Sequence, residues 1–160
     1  FPSSAASTTT SSARLSAAFT AAPIPLPQLL YRGMADRRMS DAFFEMGFGT
    51  ELNVMSATPD QKVAISYAVQ NAKGRLFLLE ISCDEESRGC STSWISVYPK
   101  EAEELLPLLT VLEPNGDSRD EEVPTEMMSE AGMHVGSDHA QPRRLAKRIV
   151  PVKPVILQDF

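Results

Sequence analysis

Trp94-Ile95-Ser96-Val97-Tyr98-Pro99-Lys100-Glu101-Ala102-Glu103-Glu104-Leu105-Leu106-Pro107-Leu108-Leu109-Thr110 is the stretch that decides how this 160-residue chain reads. Aromatic and branched residues at 94–98 run into a proline-led acidic step, and a leucine-rich run of strand character follows over 105–112. Glu101 and Glu103 are two apart, so in an extended chain they share a face. Two carboxylates on one face, beside Trp94 and Tyr98, can serve a cationic centre. Glu101, Glu103 and Glu104 are equally the ordinary pattern of a solvated charge run. Taken alone, the stretch leaves both readings open.

Upstream of it, Leu29 to Gly33 is a short apolar run ended by glycine, a strand. Ser40 is placed to cap a helix over 41–46, with Gly47 stopping it. Thr50 to Met55 alternates as a second strand running into Ser56. Thr58 then reads as a helix cap with Pro59 at the first helical position, and Val63, Ala64, Tyr67 and Ala68 fall on one face. Arg75 to Ser82 is a largely buried strand, and 83–93 is a polar loop. Residues 114–142 are acidic and without apolar periodicity, which predicts a flexible insertion. Lys147 and Arg148, with Arg143 and Arg144, read as a solvated basic stretch. Arg148 to Leu157 is a last strand, which Pro151 and Pro154 would confine to a sheet edge. About five strands and two helices make an α+β domain over 28–160.

Fifteen Lys and Arg against 21 Asp and Glu give a net charge of −6, which argues against a nucleic-acid-binding protein. No apolar run reaches the ~18 residues of a membrane span. Cys83 and Cys90 are too few for a disulfide framework, and with His134 and His139 they predict no metal site. Residues 1–27 form a Ser/Thr/Ala-rich and then proline-spaced leader, expected to be disordered. The chain opens on Phe1 and so reads as a processed or truncated piece. Its leader is acid-poor like a transit peptide. The cytoplasm is favoured as compartment, with organelle targeting or secretion as alternatives.

Arg32 beside Gly33 at a strand end can grip a phosphate with its fork, or be a plain surface arginine. Ser56 and Thr58 can orient a ligand or merely cap a helix. The order of these pieces is less ordinary. Leu30-Tyr31-Arg32-Gly33, then Val54-Met55-Ser56-Ala57-Thr58 with Ser56 standing 24 residues beyond Arg32, then Glu101-Ala102-Glu103 in its Tyr-Pro and Leu-Leu-Pro setting, resembles the mono-ADP-ribosyltransferases with an R-S-E signature.

The resemblance implies an ADP-ribosyltransferase-like fold in which mixed and antiparallel sheets form an NAD cleft with few helices, here shortened at the N-terminus. It implies NAD as substrate, no metal, and a target protein bearing an acceptor arginine as partner, with NAD hydrolysis as a side reaction. By the same resemblance Arg32, with Gly33, would hold a phosphate of NAD. Ser56, with Thr58, would hold the nicotinamide ribose, and Glu103 would be the catalytic glutamate. Glu101 would engage the acceptor guanidinium, while Trp94 and Tyr98 would recognise the target protein. Two positions depart from the family's pattern: Ala57 replaces the middle Thr of S-T-S, and Val54 stands where many members have an aromatic. The alternative function is a degenerate domain of the same fold that binds NAD or protein without turnover.

Overall fold

A computed structural model describes residues 28–124, 127 and 145–156 of the chain. The leader over 1–27 and the larger part of the 114–142 segment lie outside the described residues. The fold is organised around β4 (Arg75–Cys83), whose side chains are apolar on both faces. Phe77, Leu79 and Ile81 enter one core with Leu30, Phe43, Met55 and Leu106, while Leu76 and Leu78 enter a second with Ile65, Val69 and Ile149. A strand buried on both faces must be a nearly continuous apolar run, which is what the sequence carries. Each such fully buried side chain stabilises the fold by roughly 1.5–3 kcal/mol.

Six strands form the larger sheet. β1 (Gln28–Ala35) lies antiparallel on β4, β4 parallel to β9 (Ala146–Val155), and β9 antiparallel to β7 (Thr110–Pro114), which pairs with β2 (Gly49–Glu51). β8 (Arg119–Glu122) also pairs with β9. A second sheet is made of β3 (Met55–Ala57), β6 (Glu104–Leu106) and β5 (Cys90–Ser91). The two sheets are joined where Tyr31 and Thr58 exchange backbone hydrogen bonds of 2.7 and 2.9 Å. Helix α1 (Asp41–Met46) forms as its sequence predicts. The Ser40 hydroxyl accepts from Phe43 N, and Gly47 closes the helix at φ 75°, a left-handed conformation that suits glycine.

The structure corrects several expectations. The 50–56 run is two strands in different sheets, broken at Leu52–Val54, and the 105–112 run likewise divides at Pro107 into β6 and β7. Helix α2 (Gln61–Asn71) is capped by Asp60, whose carboxylate accepts from Lys62 N, because Thr58 is held in strand geometry by Tyr31. The strand with Pro151 and Pro154 is central rather than at an edge. β8 pairs over Ala146–Ile149 and β7 over Val152–Val155, so Pro151 sits in the gap between two partners, and Pro154 lies past the last β4 pair at Val152. Neither missing N–H interrupts a ladder on that flank. Finally, 119–122 is a strand inside the expected insertion. Its charges are matched across to β9 and β4: Arg119 with Glu80 at 2.7 Å, Asp120 with Arg148 at 2.7 Å, and Glu121 with the buried Lys147 at 2.9 Å. Lys147 and Arg148 are therefore paired strand residues, not a free basic stretch.

Candidate active site

Gly33 determines how closely α2 packs on β1. A Cβ at Gly33 would fall 1.9 Å from the carbonyl oxygen of Ala64, so only glycine lets the helix reach the strand. The buried Ala64 and Ala68 present the small side chains that such an approach needs. A cavity of about 360 Å³ opens between β1, β3, the start of α2 and the chain entering β6. Arg32, Ser56, Thr58, Glu101 and Glu103, five residues singled out by the sequence, all line it together with Gly33. The convergence is tertiary, since these residues lie on or beside β1, β3 and the chain entering β6.

Glu103 is the most constrained of them. Ser56 Oγ donates to its Oε1 at 2.5 Å, and Thr92 Oγ1 lies 3.1 Å from its Oε2. Thr92 also holds the main chain of the same residue, with its N–H 2.9 Å and its hydroxyl 3.1 Å from Glu103 O. At 6% exposure Thr92 has little freedom to do anything else. Arg32 Nη1 donates to Ser56 O at 3.2 Å, which ties the arginine to the serine's own peptide.

Glu101 and Glu103 do not share a strand face. Glu101 ends a 3₁₀ turn over Pro99–Glu101, and Ala102 takes φ 47°, a left-handed conformation that a residue with a Cβ seldom adopts. The turn at Ala102, rather than strand alternation, brings both carboxylates to one cavity. Thr58 Oγ1 donates to Glu101 O at 2.8 Å, and the Tyr67 hydroxyl donates to Glu101 Oε1 at 2.8 Å.

Thr92 and Tyr67 were not singled out by the sequence as site residues. Thr92 sits in a polar loop with nothing to distinguish it. The spacing puts Tyr67 on one face of α2 with Val63, Ala64 and Ala68, yet the residue is 49% exposed, and with Val63 it gives α2 a cavity face beside the buried Ala64, Ile65, Ala68 and Val69. The spacing Val63–Tyr67 carried the signal. Val54 is exposed and does not line the cavity, whereas two aromatics, Tyr31 and Tyr67, do. Ala57 packs in the intersheet core, an environment suited to a methyl group. Trp94 and Tyr98 lie outside the cavity, 73% and 65% exposed beside the also exposed Ile95 and Val97. Among the described residues no three His, Cys, Asp or Glu side chains gather as a metal site, and no helix is long and apolar enough to cross a membrane.

No protein-family model matches this chain, and no curated protein matches it in sequence. Solved structures do match. The enzymatic component C2-I of the C2 toxin from Clostridium botulinum aligns with a TM-score of 0.52 at 13% identity, covering 82% of this chain and 32% of that one. The ATR domain of Salmonella SpvB aligns at 0.47 and 17% identity, covering 84% and 64%. Vis, an ADP-ribosyltransferase toxin from Vibrio splendidus, aligns at 0.47 and 15%, covering 81% and 49%. This chain thus spans less than two thirds of each of these structures. The α+β arrangement of two sheets with few helices is the fold shared with the C2-I component.

Proposed function

We propose that the chain is an NAD-dependent mono-ADP-ribosyltransferase that modifies arginine on a target protein and hydrolyses NAD when no acceptor is present. The observation that carries this reading is the meeting of Arg32, Ser56, Glu101 and Glu103 on one cavity, with Ser56 bonded to Glu103. In the reaction the nicotinamide–ribose bond breaks with its electron pair going to nicotinamide. The acceptor guanidinium nitrogen, or water in the side reaction, then bonds the ribose carbon and gives up a proton.

Glu103 faces the positive charge that develops on the ribose. With one carboxylate oxygen held by Ser56 and the other by Thr92, it meets that charge with little reorganisation, the condition under which a fixed charge is most effective. Arg32 offers its fork to a phosphate, oriented by the one N–H it gives to Ser56 O. Glu101 orients the acceptor guanidinium and eases its proton loss. The exposed Trp94, Ile95, Val97 and Tyr98 offer an apolar surface for the target protein at the loop that ends in Glu101.

The test is to incubate the purified chain with labelled NAD and an arginine-rich protein, and to map the label by mass spectrometry. Label on arginine is expected. A folded chain that binds NAD but releases no nicotinamide would instead be the binding module of the same fold.

A further inference from the structure

The main chain of Glu101 is fixed independently of its side chain. Its N–H donates to Tyr98 O at 3.0 Å, and its carbonyl accepts from Thr58. Its carboxylate is held differently, because among the described residues only the Tyr67 hydroxyl bonds to it. Tyr67 reaches across from α2 to the 3₁₀ turn to make that bond, on the cavity side of the helix. A phenol that donates to one lone pair of Oε1 leaves Oε2 and the rest of Oε1 able to take a guanidinium fork.

We propose that Tyr67 is a positioning residue for the acceptor, its hydroxyl fixing Glu101 in the orientation that receives a guanidinium. This rests on the proposed function for the acceptor-side role of Glu101. A glutamate side chain left free must be ordered when its ligand arrives, and a preformed hydrogen bond removes much of that ordering from the binding step. The donor is secure at neutral pH. Its hydrogen bond to Glu101, followed by partial desolvation and the nearby charges of Glu101 and Glu103, holds the Tyr67 phenol above its usual range. Tyr31, the other tyrosine of the cavity, has no such contact with either glutamate among the described residues.

The experiment measures calorimetric binding of arginine methyl ester to the full chain, to Tyr67→Phe, to Glu101→Gln and to the double variant. Tyr67→Phe keeps the ring and removes only the hydroxyl, so cooperative unfolding serves as the check that the fold is intact. The expected result is affinity for the ester about threefold to tenfold weaker in Tyr67→Phe, the range that ordering one side chain implies. Glu101→Gln should bind more weakly still, and the double variant no worse than Glu101→Gln alone. In turnover, KM for the guanidine should rise more than kcat falls.

Equal affinity in Tyr67→Phe and the unmodified chain would overturn the proposal. So would additive losses in the double variant, a KM effect confined to NAD, or no ester binding by the unmodified chain. Ester binding with the expected pattern, but no transfer from NAD, would contradict the proposed function and leave the positioning role standing.

Discussion

Ser56 and Glu103 are 47 residues apart in sequence and 2.5 Å apart in space, hydroxyl to carboxylate. The contact is set by strand register: Ser56 pairs with Leu105 in the β3–β6 ladder, so the residues just before β6 are carried past the serine. Ser56→Ala removes one of two hydroxyls that orient the carboxylate. Nicotinamide release should fall about tenfold, the scale of one oriented hydrogen bond of ~1.4 kcal/mol. Unchanged release in a folded Ser56→Ala protein would contradict the role given to this bond.

Thr92 holds the other oxygen and the backbone of Glu103 from a buried position. Thr92→Val keeps the branched shape and removes the hydroxyl. We expect kcat for NAD hydrolysis to fall about tenfold, again on the scale of one oriented hydrogen bond, with little change in KM for NAD, and Thr92→Ser to restore most of the loss. Steady-state rates over a range of NAD concentrations check this. Loss in both variants alike would assign Thr92 to packing instead.

Gly33→Ala tests the contact that brings α2 to the cavity. The added Cβ would overlap a helix carbonyl, which cannot swing aside as a side chain tip does. Overpacking of this kind costs about 1–3 kcal/mol, read as a lower urea midpoint. An unchanged midpoint would mean that the helix sits farther from β1 than described.

Asp84 provides a pH test remote from the site. Its carboxylate accepts from the Ser87 hydroxyl at 2.7 Å and pairs with Lys153 Nζ at 3.1 Å, tying the turn after β4 to β9. The Ser87 hydroxyl first, then Lys153, lowers its pKa from the usual 3.8 to about 2. A depressed folded pKa stabilises fully above the unfolded value and loses that contribution as pH falls through the folded one. The urea midpoint of Asp84→Asn should therefore lie below that of the unmodified chain at pH 7, and the gap should close between pH 3.8 and 2. A gap of constant size down to pH 2 would remove this carboxylate from the stability of the fold.

What the sequence made legible depended on signals that are local. β4 declares itself because a strand buried on both faces must be a nearly continuous apolar run, and α1 because Ser40 and Gly47 punctuate it. Arg32, Ser56, Glu101 and Glu103 are singled out by their order and setting, and all four line the cavity. β8 was hidden because every one of its side chains is charged, and its partners lie on β9 and β4, far away in the chain. β9 was misplaced because the cost of a proline depends on which flank its missing N–H faces, and that is known only once β7 and β8 are in position. Thr92 and Tyr67 could not be found for a similar reason. A hydroxyl gains its meaning from the carboxylate beside it, and both of those contacts are tertiary.

In the proposed reaction Glu103 is the carboxylate that supports breakage of the nicotinamide–ribose bond. The most direct measurement is nicotinamide released from NAD, without acceptor, by the unmodified chain, by Glu103→Gln and by Glu101→Gln. Measurable release by the unmodified chain is expected, with a loss of about 10²-fold or more in Glu103→Gln, as for other single electrostatic groups. Glu101→Gln should retain much of the release while losing transfer to arginine. Release by folded Glu103→Gln equal to that of the unmodified chain would contradict the claim.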